Sequence, residues 1–171
     1  MQTSRNLEIK AHDPDPPRTL DAALALGEDR GVLEQRDTYF HAVTGRLKLR
    51  ETAGETAELI SYARADLAGP KVSHYRVVAI HDPEALAAAL GDALGVRGVV
   101  EKRRRLIHWR NVRIHLDEVT GLGRFVELEA VAASSGGLDA EREKVDELRR
   151  ALGIADDRLL VPRGYAELLG A

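Results

Sequence analysis

The segment Gly45-Arg46-Leu47-Lys48-Leu49-Arg50 alternates strictly between cations and leucines. Side chains alternate across a β-strand, so Arg46, Lys48 and Arg50 share one face while Leu47 and Leu49 share the other. Such a strand needs an apolar layer on one side. On the other side it needs water or something that answers like charges on alternate residues. The same alternation recurs along the chain. Asn6, Glu8 and Lys10 oppose Leu7 and Ile9, and Glu127 and Glu129 oppose Val126 and Leu128. Arg113, His115 and Asp117 oppose Val112, Ile114 and Leu116. Lys102 and Arg104 also share a face, but Glu101, Arg103 and Arg105 between and beside them leave that strand undecided on pattern alone. Arg103 and Arg105, out of register with their neighbours, are assigned to the surface.

Turn and breaker residues place these rows in an order. Residues 12–18, with Pro14, Pro16 and Pro17, predict a stiff loop leading into an alanine- and leucine-rich helix over 21–26. Strands are predicted over 33–42 and 46–52, joined by a turn at Thr44-Gly45, and then over 55–64 and 72–80. Asp82-Pro83 opens a helix that Gly95 stops, with Leu86, Leu90 and Leu94 on one side. Three more strands follow over 98–108, 111–118 and 124–132, then a loop over 134–137. A charged amphipathic helix over 138–152 and a short helix over 162–169 end the chain. The order is β-α-ββββ-α-βββ-α. Short connections make neighbouring strands antiparallel, which predicts an α+β domain on a barrel-like sheet.

Two arrangements satisfy this pattern. One is an open sheet or sandwich with a solvated polar face, the usual meaning of alternation. The other turns the charged rows into an enclosed bore and covers the apolar outside with helices (Leu86, Leu90, Leu94; Val145, Leu148, Leu152). Two details favour the bore. The polar positions are almost all ionisable, and they are grouped by sign. Arg forks pair with phosphate oxygens, and Lys acts as a point charge. Gathered carboxylates suit Mg²⁺ or Mn²⁺. Together they make a site for a polyphosphate. Composition narrows the field further. The 171 residues fit one domain, spanning 1–171. At 44% hydrophobic and 31% charged, the chain is an ordinary globular one. The absence of cysteine removes disulfide and thiolate chemistry. No apolar run approaches a membrane span, so the expected location is the cytoplasm. A net charge of −3, with the cations turned inward, argues against nucleic acid as a partner. No Walker-type loop or Ser-His-Asp arrangement is present, so phosphate binding rests on side chains.

The segments resemble, in order and over nearly the whole chain, the CYTH family of triphosphate tunnel metalloenzymes. That family opens with Glu-x-Glu-x-Lys, which here reads Asn6-Leu7-Glu8-Ile9-Lys10. Gln35-Arg36-Asp37-Thr38-Tyr39-Phe40 is similar to its second strand and Gly45-Arg46-Leu47-Lys48-Leu49-Arg50-Glu51 to its basic third strand. Lys102-Arg103-Arg104 resembles the later basic strand. Gly121-Leu122-Gly123-Arg124-Phe125-Val126-Glu127-Leu128-Glu129 resembles the second acidic one. Gly164-Tyr165-Ala166-Glu167-Leu168-Leu169 looks like the C-terminal segment of the class IV adenylyl cyclase branch. The resemblance implies a closed antiparallel eight-stranded β-barrel with helices packed outside.

It also implies roles. Glu8, Glu127, Glu129 and Asp117 would hold Mg²⁺ or Mn²⁺. Lys10, Arg46, Lys48, Arg50, Lys102, Arg104 and Arg113 would hold a nucleoside or other organic triphosphate. Glu8, Lys10 and Glu129 would stand at the chemistry. The implied reaction is that of a class IV adenylyl cyclase, ATP to cyclic AMP and pyrophosphate. The alternatives are a triphosphatase and a non-catalytic triphosphate-binding module. Asn6 departs from the signature: its carbonyl oxygen can meet a metal but brings no charge, which leaves the metal count open. His115 is read as a polar wall residue that can also donate to phosphate or move a proton. Trp109, Tyr39 and Tyr62 are read as packing, and Tyr165 as closing one tunnel mouth. Exposed strands or the C-terminal helix leave room for a homodimer.

Overall fold

A computed structural model describes residues 2–64, 70–132 and 138–171, so the predicted loop over 134–137 lies outside the described residues. The strands are β1 (Gln2–His12), β2 (Glu28–Phe40), β3 (Arg46–Thr52), β4 (Ala57–Arg64), β5 (Lys71–Ile80), β6 (Val96–Trp109), β7 (Val112–Val119) and β8 (Gly123–Val131). They close into a barrel in the order β1-β5-β4-β3-β2-β6-β7-β8. Every neighbouring pair is antiparallel, and β1 seals the ring by pairing with both β5 and β8. The helices are α1 (Pro16–Leu26), α2 (Pro83–Leu94), α3 (Asp139–Ala151) and α4 (Tyr165–Leu168), with a short 3₁₀ turn over Asp157–Leu159. No helix among the described residues is long and apolar enough to cross a membrane.

Two boundaries differ most from the sequence reading. α1 begins at Pro16, inside the segment expected to be loop. Proline suits the first helical turn because the N–H it lacks would have no helical partner there. Asp15 caps that turn by accepting from the Arg18 N–H. β2 begins at Glu28, well before 33. Its first residues pair with β6 through a register shift between Asp29 and Val32. Gly31, at φ 94°, supplies the left-handed residue that lets the strand kink and continue.

The apolar rows face outward, as the bore arrangement requires. Leu7, Ile9 and Ala11 of β1, Val112 and Ile114 of β7, and Val126 and Leu128 of β8 form one buried cluster with Val145, Leu148 and Leu152 from the α3 segment. Ala23 of α1 joins the same cluster. Each buried valine, leucine or isoleucine contributes about 1.5–3 kcal/mol by leaving water. A second patch buries Phe40, Leu49 and Ala57 under Leu86, Ala87 and Leu90 of α2. Leu94, expected on that same face, remains 41% exposed. The chain end lies along β1: the Val161 N–H donates to the Lys10 carbonyl at 2.9 Å, and Val161, Tyr165 and Ala166 pack with Phe125. Most of the hydrophobic core thus lies outside the ring. The inside carries the ionisable rows, with the apolar cluster of Tyr39, Val100, Val119 and Phe125 on the same inward faces under the chain end.

Candidate active site

The bore encloses a cavity of about 390 Å³. It is lined by Glu8 and Lys10 from β1, Asp37 from β2, Lys48 and Arg50 from β3, Lys102 and Arg104 from β6, Arg113 and His115 from β7, and Glu127 and Glu129 from β8. Antiparallel pairing aligns these positions. Asp37 lies opposite Arg50, Glu8 opposite Glu129, Lys10 opposite Glu127 and Arg113 opposite Glu129.

Asp37 is the hub of the cationic part. Lys48 Nζ donates to its Oδ2 at 2.8 Å and Lys102 Nζ to the same oxygen at 2.9 Å. Arg50 donates in parallel, Nε to Oδ1 at 2.7 Å and Nη2 to Oδ2 at 2.8 Å. Burial would push the Asp37 carboxyl up, but the charges of Arg50, Lys102 and Lys48 outweigh it and hold the group well below the usual carboxylate range. The lysines pay for the crowding. Burial, reinforced by Arg50 and Arg104 and opposed by Asp37, brings Lys102 down to about 7. Burial and Arg50, again opposed by Asp37, bring Lys48 to about 8.

A second cation is anchored from behind. Arg104 donates to Asp117 through Nε at 2.7 Å and Nη2 at 2.6 Å, and Nη2 also reaches Glu127 at 3.3 Å. The Tyr165 hydroxyl donates to Asp117 at 2.7 Å. Lys10 Nζ stands 3.8 Å from the centroid of the Tyr165 ring and 4.0 Å from Glu127. At the acidic end, Asn6 Nδ2 donates to Glu129. Arg113 and His115 stand 3.7 Å and 4.0 Å from the same carboxylate. Burial raises the Glu129 carboxyl, with Arg113 opposing and Glu127 and Glu8 adding to the rise. Burial, with the charge of Arg104, keeps the His115 imidazole far below its ordinary range.

The structure thus brings together Glu8, Lys10, Lys48, Arg50, Lys102, Arg104, Arg113, Glu127 and Glu129. It sets two expected site residues apart. Arg46 is absent from the cavity lining; its Nε donates to Glu167 of α4 at 2.9 Å, where Arg97 approaches the same carboxylate at 3.6 Å. Asp117 sits behind Arg104, engaged by that guanidinium and by Tyr165, rather than on the cavity wall. Asp37 was missed as a site residue, although a lone carboxylate in register with the basic strand was the signal available. Tyr75 was missed because β5 carries no alternating charges to draw attention inward.

The donor chemistry at the acidic end fits a hard divalent cation. Glu8, Glu127 and Glu129 offer carboxylate oxygens, and the Glu129 carboxyl, raised first by burial and further by Glu127 and Glu8, stands where a cation would favour its charged form. Asn6 Oδ1 is buried with no hydrogen-bond partner among the described residues. No three His, Asp or Glu side chains among the described residues are already gathered around one point for a metal.

The CYTH domain model matches residues 4–165, nearly the full chain. The protein belongs to the CYTH family. No curated protein matches it. Among solved structures, the CYTH chain is similar to the PH1012 protein from Pyrococcus horikoshii, with 24% identity, a TM-score of 0.82 and coverage of 95% of this chain and 98% of that one. An adenylate cyclase candidate from Vibrio parahaemolyticus gives 18% identity and a TM-score of 0.79, covering 99% and 100%. An adenylyl cyclase candidate from Hippeastrum with a dominant triphosphatase activity gives 16% and 0.62, covering 87% and 88%. At these identities the likenesses establish a shared fold.

Proposed function

We propose that this chain is a metal-dependent enzyme that acts on an organic triphosphate in its bore, with the class IV adenylyl cyclase reaction as the first reading. The observation that carries it is the sorted bore: buried Lys48, Lys102 and Arg104 with half-buried Arg50 on one stretch of wall, and Glu8, Glu127 and Glu129 on another. Glu8, Glu127 and Glu129 would hold Mg²⁺ or Mn²⁺, with the Asn6 oxygen at hand. When bound, the metal supplies charge shielding and a lowered pKa for the attacking ribose 3′-hydroxyl. Lys48, Arg50 and Lys102 hold the phosphates in line and receive the charge that develops on the pyrophosphate leaving group. Lys10 and Arg104 bridge the basic and acidic stretches, since each already touches Glu127. Arg113 holds the remaining phosphate charge beside Glu129. Arg46 and Asp117 are given supporting roles only: Arg46 is held by Glu167 outside the cavity lining, and Asp117 stands behind the wall, engaged by Arg104 and Tyr165.

A second reading, triphosphate hydrolysis, has a specific observation behind it: the similar Hippeastrum protein has a dominant triphosphatase activity. The same bore would then direct water at a terminal phosphate. Purified protein with ATP, thiamine triphosphate or inorganic triphosphate and Mg²⁺ or Mn²⁺, with products identified by mass, separates the two. Cyclic AMP with pyrophosphate supports the first reading. Orthophosphate with a diphosphate supports the second. Binding without turnover under any metal leaves a non-catalytic module and refutes both. Turnover that survives joint Glu8→Ala and Glu129→Ala substitution removes the assigned metal site.

A further inference from the structure

All four tyrosines of the chain, Tyr39, Tyr62, Tyr75 and Tyr165, line the bore. Their placement is uneven. Tyr39 lies near Lys48 at 5.5 Å, and Tyr165 is held by Asp117 and Lys10. Tyr62 has Lys48 and Arg46 each 5.8 Å from its ring and faces Tyr75 directly across the β4–β5 pair. Ile60 and Val77 continue that stretch of wall, and among the described residues that line the cavity β4 and β5 contribute no cation.

In the ring order, β5 and β6 are antipodal: three strands separate them in either direction. β4 and β7 are antipodal in the same way. The tyrosine wall therefore looks across the bore at Lys102 and Arg104 of β6 and Arg113 of β7. Tyr75 is only half-buried, and among the described residues no side-chain hydrogen bond, ion pair or ring contact engages it. An uncommitted aromatic ring facing a row of cations gains little from an inorganic anion. It gains much from a planar ring, whose face it can cover. A cavity of about 390 Å³ has the size of a small-molecule site.

The geometry points to the β4–β5 wall, Tyr75 with Tyr62, as the seat for the planar aromatic group of an organic triphosphate whose phosphates lie on the opposite cations. This assignment rests on the triphosphate reading above and narrows it to substrates that carry a flat ring, whether a nucleobase or a thiamine-like heterocycle. Inorganic triphosphate would then bind by its charge alone.

Calorimetry with the intact protein, using inorganic triphosphate and a non-hydrolysable ATP analogue, tests it. Tyr75→Leu should weaken the ATP analogue about tenfold or more and leave inorganic triphosphate within about twofold, since one stacked base is worth about that factor. Tyr75→Phe should restore the affinity. Equal weakening of both ligands, or no weakening of the analogue, overturns the wall assignment. Ring-labelled tyrosine spectra of the wild-type protein give a readout that needs no variant. The Tyr75 signal should move with the ATP analogue and stay with inorganic triphosphate; the reverse overturns the assignment. Wild-type protein that takes inorganic triphosphate but no organic one refutes the wall and leaves the tunnel reading standing. Protein that binds neither refutes both.

Discussion

Replacing Asp37 by Asn preserves the shape of the hub and removes its charge. Lys48, Arg50 and Lys102 then face one another with no anion between them. Removing one member of a buried ion pair costs about 3–5 kcal/mol because the other charge is stranded. For a chain of this size each kcal/mol moves the melting temperature by about 2–4 °C, so a fall of about 6–20 °C is expected where the lysines stay charged. They need not stay charged. Lys102 titrates at about 7 and Lys48 at about 8 while Asp37 is still holding both up. Without Asp37 both fall further, and shedding protons relieves the strain. The penalty is therefore largest at pH 6 and shrinks by pH 9. Thermal unfolding followed by circular dichroism at pH 6, 7.5 and 9 measures it. An Asp37→Asn protein as stable as wild type at pH 6, or one whose deficit grows with pH, would refute the reasoning.

Wild-type stability carries its own pH signature. The folded-state values of Lys102 and Lys48, about 7 and about 8, lie below the ordinary lysine value of 10.5, so the unfolded chain binds more protons between them. Their contribution to stability should rise from about pH 7 towards 10.5, and denaturant midpoints across that range check the slope. A bound polyanion favours the charged lysines, so triphosphate binding at pH 8 should take up protons. Calorimetry in buffers of different ionisation enthalpy reads that uptake, and proton release would contradict it. Tyr165→Phe keeps the ring under Lys10 but leaves Asp117 without the hydroxyl donor, and should cost about 1–2 kcal/mol in urea unfolding. Gly45 sits at φ 66°, and a Cβ there would stand 2.7 Å from the Tyr62 carbonyl oxygen. Gly45→Ala should therefore destabilise by about 1–3 kcal/mol, measured in the same way.

The alternating rows made much of this molecule legible. Arg46, Lys48 and Arg50 do share a face, and Leu49 behind them is fully buried under α2. Lys102 and Arg104 were ambiguous because every neighbour is charged. The structure resolves them by exposure: the Arg103 side chain is 60% exposed while that of Lys102 is 1%. Arg46 shows where alternation stops being informative. Period two fixes the face of a side chain but not its depth, and at the end of β3 the partner in reach is Glu167, more than a hundred residues away in the chain. The hub position of Asp37 was hidden for a related reason. A single acid in a polar row reads as ordinary until β3 and β6, on either side of it, bring three cations to the same carboxylate. Among the described residues every strand is paired on both sides in the closed ring, so of the two routes to a homodimer only the C-terminal helix offers an element without a strand edge.

Because this barrel keeps most of its apolar residues on the outer surface of the ring and its ionisable rows on the inner one, the two can change largely separately. Sequence drift on the interior can rearrange its charges while the architecture stays put. In most small enzymes such retuning falls to loops; here it would fall to every second residue of the staves.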